Sequence, residues 1–391
     1  MAVKYLTASA LVTAVGAGRD NTVEALRNQR GGLKPVDEAG LTLYAGHVEG
    51  LEGVELAAEH AAYDCRNNRL AEMTLRTDDF AQRLEAAVAH YGPGRIGVFL
   101  ATSTGGMRET EAACRALPAG QPLPATFTLA TTHRLSATAD YLRTRCGLRG
   151  PVQSISTACS SSAKALASAA RHIDAGLCDA ALVGGVDTLC RTTLYGFNAL
   201  ELTSQGLCRP FDPERDGLCL GEAGALALLE PRQQTPDDTA LLGYGESTDA
   251  HHLSTPHPEG AGARLAIRRA LASAGLGSGA IDYINLHGTA TPLNDRMEDQ
   301  ALVAELGDHI PASSTKGWTG HTLGAAGMVE ALISALCLEE GLIPGTLNTR
   351  KPDPELRTKL QVEPAHHPLR RVMSQSFGFG GNNCSLILGY P

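Results

Sequence analysis

The stretch Val152-Gln-Ser-Ile-Ser156-Thr-Ala-Cys159-Ser-Ser-Ser162, continued to Ala180-Ala-Leu-Val183, decides the fold. Val152–Ser156 has the short apolar pattern of a buried strand, and Ser160–Ala175 has apolar residues at helical spacing. Those apolar residues are Ala163, Leu166, Ala167, Ala170 and Ile173. Ala180–Val183 is again a strand, which Gly184-Gly185 is expected to close. A strand, a helix and a strand in this order predict a parallel pair joined by a crossover helix.

The same alternation extends along the chain in both directions. A helix over Asp79–His90 precedes a buried strand over Arg95–Ala101. Pro231–Thr239 is a polar connection rich in helix breakers, and the alternation restarts after it. The later elements are helices over 263–274, 296–306 and 327–340, and strands over 281–286, 371–376 and 384–388, with a short strand ending at Ser313-Ser314. The sequence therefore predicts two similar α/β halves, 1–235 and 236–391.

Composition excludes several classes of protein. The chain has 391 residues and a formal net charge of −9, which disfavours a nucleic-acid-binding surface. No apolar run approaches the ~18 residues that a membrane span requires, and the N-terminus lacks the pattern of a signal peptide. The ten cysteines include no Cys-x-x-Cys pair, so a zinc site is not indicated. Reduced thiols and a cytoplasmic location are expected.

Cys159 is the first candidate for chemistry, because it stands where a strand ends and a helix begins. The free N–H groups of a helix N-terminus favour an anion, which lowers a thiol pKa and enriches the nucleophilic thiolate. A small core cysteine is the alternative interpretation. Ser160–Ser162 could also supply a nucleophile, but no Gly-x-Ser-x-Gly motif surrounds them, which favours capping and packing.

Two histidines follow predicted strands in the second half. His287 lies in Asn285-Leu-His-Gly-Thr-Ala-Thr-Pro292, and His321 lies in Thr315-Lys-Gly-Trp-Thr-Gly-His321, with Lys316 five residues before it. Glycines beside each imidazole allow backbone to approach a substrate. Either histidine could instead be structural, and Lys316 could be a solvated charge.

The glycine-rich stretch Ser376-Phe-Gly-Phe-Gly-Gly-Asn-Asn383 is not a dinucleotide motif, because a strand follows it and the glycine spacing differs. Such a loop can offer backbone N–H groups to an oxyanion. Phe379 within it could equally be a packing residue. One cysteine, two loop histidines, one lysine and one glycine loop together indicate acyl transfer.

In these motifs the chain resembles the β-ketoacyl-acyl-carrier-protein synthases of the elongating, Cys-His-His type, in the thiolase-like superfamily. The resemblance covers nearly the whole chain, and the motifs occur in the family's order. Besides the four stretches above, it rests on Arg209-Pro-Phe-Asp-Pro-Glu-Arg-Asp-Gly217 and Leu220-Gly-Glu-Ala-Gly224. It implies a five-layered αβαβα fold of two fused, pseudo-duplicated halves that is normally dimeric.

The resemblance also implies a role for each matched residue. Cys159 would be the acylated nucleophile, and His287 and His321 the decarboxylation pair. Lys316 would organise the His321 side of the site. Phe379 would gate the acyl pocket, and its backbone N–H would form an oxyanion hole with that of Cys159. The remaining roles are phosphopantetheine contacts by Thr289 and Thr291, a substrate-binding loop around Gly378 and Gly380, and buried support by Glu330.

The implied reaction is a decarboxylative Claisen condensation with malonyl-acyl carrier protein, in fatty acid or polyketide/polyene elongation. No metal or redox cofactor is implied, since the substrates ride on the phosphopantetheine of the carrier. The implied partners are acyl carrier protein and a second subunit, either a copy of this chain or a chain-length-factor-like homologue. No nucleic acid or membrane partner is expected.

Three other functions are compatible with parts of this sequence. A non-catalytic partner subunit of the same fold would lack Cys159, which this chain retains. A thioester hydrolase or cysteine peptidase is disfavoured because no Asn or Asp is evident to orient either histidine. Cys384 invites a thiolase interpretation with a second catalytic cysteine, but a packed strand residue is preferred. The segments Pro118–Ser136 and Thr188–Ser204 depart from the family's pattern, which leaves acyl length and the dimer partner open.

Overall fold

The computed structural model describes residues 2–38, 40–118, 120–124 and 127–391. The divergent segment Pro118–Ser136 therefore falls partly outside the described residues. The strands are β1 (Lys4–Thr13), β2 (Gly16–Ala17), β3 (Leu33–Glu38), β4 (Leu41–Gly46), β5 (Ile96–Ala101), β6 (Val152–Ile155), β7 (Ala180–Asp187), β8 (Leu220–Gly221), β9 (Ala223–Glu230), β10 (Thr239–Thr248), β11 (Tyr283–Asn285), β12 (Ala312–Ser313), β13 (Leu342–Ile343), β14 (Ala365–His366), β15 (Arg371–Gly378) and β16 (Asn382–Gly389).

The helices connect these strands in the order that the sequence indicates. They are α1 (Arg19–Arg27), α2 (Arg66–Leu75), α3 (Phe80–Tyr91), α4 (Met107–Ala116), α5 (Ala137–Arg145), α6 (Ser161–Asp174), α7 (Arg191–Ala199), α8 (Ala261–Ala274), α9 (Pro292–Leu306), α10 (Lys316–Thr319) and α11 (Ala326–Glu340). Within the described ranges, no helix is both long enough and apolar enough to cross a membrane.

The central sheet repeats one strand order twice. Strands run β6-β5-β7-β9-β1 in one part and β12-β11-β15-β16-β10 in the other. In each part the first three strands are parallel to one another, the fourth is antiparallel to the third, and the fifth is antiparallel to the fourth. The parts join through a short antiparallel pairing of Lys4–Leu6 in β1 with Thr239–Leu241 in β10. The predicted pseudo-duplication is confirmed by this topology.

Helices α6 and α11 form the layer between the two parts of the sheet. Helix α6 packs against β5 and β7 on one side and β16 on the other, and α11 packs against β9 and β15. Helices α2, α3 and α5 cover the outer face of the first part, and α8 covers that of the second, with α9 packed on α8. The five predicted αβαβα layers are confirmed.

The glycine pair Gly184-Gly185 does not close β7, and the prediction that it would was wrong. The strand continues to Asp187. A Cβ atom at Gly184 would lie 2.2 Å from the carbonyl oxygen of Ala225, and one at Gly185 would lie 2.7 Å from the Cα of Ala325. These glycines therefore permit close packing of neighbouring backbone inside the layers, and they do not form a turn.

Candidate active site

Cys159 lies at the junction between β6 and α6, as the sequence indicates. Ala158 before it adopts a left-handed φ of 55°, which turns the chain sharply so that the cysteine faces inward. Two of the neighbouring serines hold this turn. Ser160 Oγ donates to the Thr157 carbonyl at 3.0 Å, and Ser161 Oγ accepts the Thr157 N–H at 2.8 Å. The serines thus take the packing role that the sequence favours, whereas Ser160, the residue before α6, makes no side-chain capping hydrogen bond to the helix.

The pKa of Cys159 is raised to about 11, because the side chain is buried. The positive charge of Lys316 and the backbone N–H groups of Phe379 and Cys159 lower the pKa, but they do not offset burial. The predicted lowering of this pKa by the helix N-terminus was therefore wrong. Desolvation of a thiolate at 5% exposure outweighs the favourable dipoles, so the resting group is a thiol.

His287 follows β11 on a turn that a buried carboxylate holds. Glu298 of α9 accepts the N–H groups of His287 and Gly288, each at 2.7 Å. Burial raises the pKa of Glu298 to about 8. Burial lowers the pKa of His287 well below 6.5, and the nearby charge of Lys316 lowers it further. His287 is therefore a neutral imidazole near pH 7.

His321 lies between α10 and α11, and its backbone pairs with β8. Its N–H donates to the Cys219 carbonyl at 2.7 Å, and its own carbonyl accepts the Gly221 N–H at 3.0 Å. Its Nδ1 atom accepts the Leu323 N–H at 3.1 Å. Burial, together with the charge of Lys316, lowers the pKa of His321 well below 6.5. The neutral ring thus carries its proton on Nε2.

Lys316 contacts His287 and not the His321 side that was predicted. Its Nζ atom lies 3.3 Å from His287 Nδ1 and also donates to the His287 carbonyl and to Glu330. The three donors of an ammonium group are matched by these three acceptors. With Nδ1 accepting from Lys316, His287 also carries its proton on Nε2. Lys316 contacts His287 because the turn at His287 packs on Lys316, although the two residues are 29 positions apart in the chain.

Glu330 is fully buried on α11 beside Lys316, the place that the resemblance implied for it. Burial raises the pKa of Glu330 to about 7, whereas the Lys316 charge acts to lower it. A lysine so deeply buried requires such a counter-charge, because an unpaired buried ammonium is costly.

The two halves of the fold bring the cysteine and both histidines together. Cys159 Sγ and one ring nitrogen from each of His287 and His321 all lie within 4.8 Å of one another. The imidazole rings meet edge to face, with centroids 5.4 Å apart. Sulfur and imidazole groups at this separation also form a donor set for zinc. The adjacent Lys316 charge and the protonated thiol both disfavour a bound cation.

The glycine loop covers the cysteine from the other side. A Cβ atom at Gly378 would lie 3.1 Å from the Cys159 nitrogen and 3.0 Å from the Thr157 carbonyl oxygen, so the close approach favours glycine. Gly380 has a φ of 73°, which also favours glycine. The N–H groups of Phe379 and Cys159 both act on the Cys159 sulfur, the position expected for oxyanion-hole donors.

A cavity of about 200 Å³ leads to the cysteine. Thr289 and Thr291 line it, and their hydroxyl groups hydrogen-bond at 2.8 Å. The Phe379 ring stacks on Phe197 of α7, with centroids 5.5 Å apart. The gate role of Phe379 and the substrate contacts of Thr289, Thr291, Gly378 and Gly380 stay predictions, although the cavity brings all of them together.

Sequence reasoning missed three residues that support the site. Glu298 and Asp187 are buried carboxylates that hold loops, and nothing in their local pattern marks them as buried. Phe197 lies in the divergent segment Thr188–Ser204, where no family match pointed to it. Cys384, by contrast, is a packed residue of β16 in the main core, as preferred, and burial raises its pKa.

Comparisons with known proteins agree with this geometry. Residues 6–235 match the family model for the beta-ketoacyl synthase N-terminal domain, and residues 239–350 match that for the C-terminal domain. The 3-oxoacyl-[acyl-carrier-protein] synthase 2 of Vibrio cholerae is 30% identical over 98% of this chain and 97% of its own length.

Two further matches have higher sequence identity. The mitochondrial 3-oxoacyl-[acyl-carrier-protein] synthase of Arabidopsis thaliana is 38% identical over 63% of this chain, and the match spans only 58% of that relative's length. A chain from the complex of the ketosynthase ApeO with its chain length factor ApeC, from Xenorhabdus doucetiae, is 38% identical. It superposes with a TM-score of 0.90, covering 99% of this chain and 98% of that one.

Proposed function

This chain belongs to the beta-ketoacyl synthase family, and we propose that it is a 3-oxoacyl-[acyl-carrier-protein] synthase. It joins an acyl thioester to malonyl-acyl carrier protein by decarboxylative Claisen condensation. The reaction serves fatty acid or polyketide/polyene chain elongation. The relatives at 30% and 38% identity that bear this name support the proposal.

One observation carries the proposal. His287 and His321 are both neutral, and each has its Nδ1 atom occupied, so that each presents an Nε2–H donor beside the Cys159 thiol. A pair of neutral donors stabilises an enolate oxygen, whereas a hydrolase or peptidase requires a histidine lone pair aimed at the thiol. This tautomer pattern favours condensation over thioester hydrolysis.

The first half-reaction is acyl transfer. Cys159 sulfur attacks the acyl carbonyl of the carrier thioester, and the backbone N–H groups of Cys159 and Phe379 receive the negative oxygen. The bond to the carrier's sulfur breaks, leaving acyl-Cys159 and a carrier thiol. Neither imidazole offers a lone pair toward the thiol, so the proton of Cys159 ends on the departing sulfur.

The second half-reaction uses the two imidazoles. Malonyl carrier protein loses its carboxylate as CO₂, and the electron pair of the broken C–C bond forms an enolate. His287 and His321 each donate Nε2–H to the enolate oxygen. The enolate carbon then attacks acyl-Cys159, which releases the 3-oxoacyl carrier thioester and a Cys159 thiolate. That thiolate takes a proton from water.

The substrates arrive on the phosphopantetheine arm of acyl carrier protein, for which Thr289 and Thr291 provide hydroxyl groups along the cavity. The proposed steps need no metal or redox cofactor, because hydrogen-bond donors alone stabilise both developing charges. Condensation by protein dialysed against a chelator tests this point. The ten cysteines are free thiols, which supports a reducing cytoplasm as the location.

A second candidate is the ketosynthase subunit of a heterodimer with a chain-length-factor-like partner. The match to a chain of the ketosynthase and chain length factor complex, at 38% identity over nearly the full chain, favours it. Mass measurement of the native assembly after co-purification from the source cells distinguishes this arrangement from a homodimer.

The decisive experiment supplies purified protein with an acyl carrier thioester and malonyl carrier protein labelled in its carboxylate. We expect labelled CO₂ and a 3-oxoacyl carrier product in equal amounts. Free fatty acid without a condensation product would contradict the proposal and indicate a hydrolase.

A further inference from the structure

Cys208 and Cys219 form a buried thiol pair away from the reacting sulfur. Their side chains are 1% and 2% exposed. The Cys208 N–H donates to Cys219 Sγ at 3.3 Å, and the two side chains pack in one small buried cluster. The intervening segment turns back on itself, since the Ser204 N–H donates to the Leu218 carbonyl at 2.9 Å.

This pair touches the backbone of three parts of the active site. Cys208 Sγ lies 3.6 Å from the Lys316 carbonyl oxygen. The Cys219 carbonyl accepts the His321 N–H at 2.7 Å. Both cysteines pack on Ala290, which has a strained φ of 66° between the two threonines of the cavity. A change in the geometry of the pair would thus reach the residues that position both imidazoles.

The local chemistry makes one thiol of the pair the more reactive. The neighbouring Cys219 side chain, aided by the Lys316 charge, holds the pKa of Cys208 below its ordinary value, and the Cys219 thiol itself donates to the Gly206 carbonyl at 3.3 Å. The neighbouring Cys208 side chain raises the pKa of Cys219. Oxidation by a peroxide begins at the sulfur with more thiolate character.

We propose that Cys208 and Cys219 form a reversible disulfide under peroxide and that this bond slows condensation. In the first step the peroxide O–O bond breaks, giving Cys208 sulfenic acid and one water. In the second step, the Cys219 sulfur attacks the Cys208 sulfur, and the S–O bond of the sulfenic acid breaks. The departing hydroxide takes the Cys219 proton and leaves as a second water. Two thiols lose two electrons and two protons, and one hydrogen peroxide becomes two waters. Reduction by a dithiol reverses the change.

The disulfide would alter the active site by moving the two cysteines, which contact the backbone near His321 and Lys316, toward each other. A disulfide requires an S–S distance near ~2.05 Å, much shorter than any contact between two thiols. The Cys219 carbonyl that holds His321 and the Cys208 sulfur that touches Lys316 would both shift. A displacement of about 1 Å in catalytic groups can cost up to roughly a hundredfold in rate. This rate effect, unlike bond formation, rests on the proposed function.

Bond formation is tested in Cys159→Ala protein, which lacks the reacting thiol. After treatment with hydrogen peroxide, we expect a loss of two hydrogen atoms in intact mass and a cross-linked peptide joining 208 to 219. Adding Cys208→Ala or Cys219→Ala should abolish the cross-link, whereas adding Cys190→Ala, another buried cysteine, should leave it. No cross-link, or one that persists without Cys208, overturns the proposal.

The rate effect is tested in protein whose Cys159 is first acylated, since a thioester protects that sulfur. Peroxide is added and removed, and transfer of the acyl group to malonyl carrier protein is timed. We expect at least a fivefold slowing that a dithiol reverses, and no such slowing in Cys208→Ala protein. A cross-link without slowing overturns the regulatory part. Untreated protein that never condenses overturns the proposed function, while the cross-link assay still decides the fate of the pair.

Discussion

The two halves of this molecule share one framework and contribute different chemistry. Cys159 follows β6 in the first half, and His321 follows β12, the equivalent strand of the second half. Each residue precedes a helix of the central layer, α6 or α11. The carboxyl ends of parallel strands meet at one edge of a sheet, so equivalent positions in the halves face a shared centre.

The loops after β5 and β11 are equivalent in the two halves, and a buried carboxylate holds each of them. In the first half, buried Asp187 accepts backbone N–H groups from Ser103 and Thr104 at 2.8 Å. In the second, buried Glu298 accepts those of His287 and its neighbour at 2.7 Å. A carboxylate holds each loop, yet only the second loop presents an imidazole.

Under the proposed function, the first half supplies the nucleophile and the second half supplies both enolate donors. Asp187 also accepts the Ala325 N–H at 3.2 Å, so the first half's scaffold steadies the loop after His321. The framework fixes where loops lie, and the side chain at each loop determines what it does.

The largest effect is expected from removing the nucleophile of the first half. Cys159→Ala should abolish acylation and condensation, because no other sulfur faces the cavity among the described lining residues. Intact mass after incubation with an acyl donor measures this. Cys384→Ala, which removes a core thiol of the second half, should still acylate. An acyl mass shift on Cys159→Ala protein would remove Cys159 from the mechanism.

Removing the histidines of the second half should impair a different step of the reaction. His287→Ala and His321→Ala should each retain acylation and lose malonyl decarboxylation by roughly 10²–10³-fold, since each removes one oxyanion donor. Labelled CO₂ release measures the loss, and His172→Ala, an imidazole of the first half, is the matched control. Unimpaired CO₂ release by either variant contradicts a shared role for the pair.

The contact between Lys316 and His287 predicts a coupling within the second half. Lys316→Met should slow decarboxylation on the order of tenfold to a hundredfold, because His287 loses the partner that fixes its tautomer. In a His287→Ala background, Lys316→Met should add little further loss, whereas in a His321→Ala background its effect should persist. Lys4→Met, at another buried lysine paired with a carboxylate, serves as the control.

Matching losses in both backgrounds would contradict this assignment. The original expectation, that Lys316 organises the His321 side, would then regain support.

The two half-reactions should also differ in their pH dependence, because acylation depends on Cys159 of the first half and decarboxylation depends on the histidines of the second. The pKa of Cys159 is about 11, so from pH 8.5 to 9.5 its thiolate fraction, and with it the acylation rate, should rise about tenfold. Decarboxylation should stay flat there, because both histidines are neutral and Glu330 and Glu298, with pKa values of about 7 and 8, are largely ionised.

Single-turnover acylation of the wild-type protein gives the first profile. CO₂ release by Cys159→Gln protein gives the second, since the Gln amide imitates the acyl-enzyme. A flat acylation profile would show that the thiol is already ionised and would contradict the raised pKa.

The smallest effect concerns Phe379, the predicted gate, which stacks on Phe197 of the first half. Phe379→Ala should raise malonyl decarboxylation without an acyl primer a few-fold relative to condensation and broaden acyl selectivity, because the ring no longer blocks the second substrate. Phe197→Ala should reproduce part of this change, since Phe197 stacks on the ring from the first half. A lower melting temperature with an unchanged ratio would leave Phe379 a packing residue.

Sequence patterns predicted two similar α/β halves and candidate residues for chemistry, and the family resemblance added the five layers and a role for each residue. Apolar strands alternating with helices, written twice, predict the duplicated α/β framework, because periodicity reflects which face of each element is buried. The motifs at strand ends pointed to Cys159, His287 and His321, because a polar or nucleophilic residue where a strand ends faces a crevice. The sequence predicts too short a strand at Gly184-Gly185. In a sequence, a glycine that allows close packing cannot be distinguished from a glycine that turns the chain.

Only the tertiary structure decided how these groups are tuned. Lys316 holds His287 across 29 residues of chain, and Glu298 holds the turn at His287 from α9, partnerships that no local pattern encodes. The pKa of Cys159 rises because burial exceeds the effect of its helix N-terminus. Burial depends on every element that packs around a residue, and a hydrogen-bond partner depends on where distant segments meet. Both quantities therefore exist only once segments that are distant in the chain have packed together.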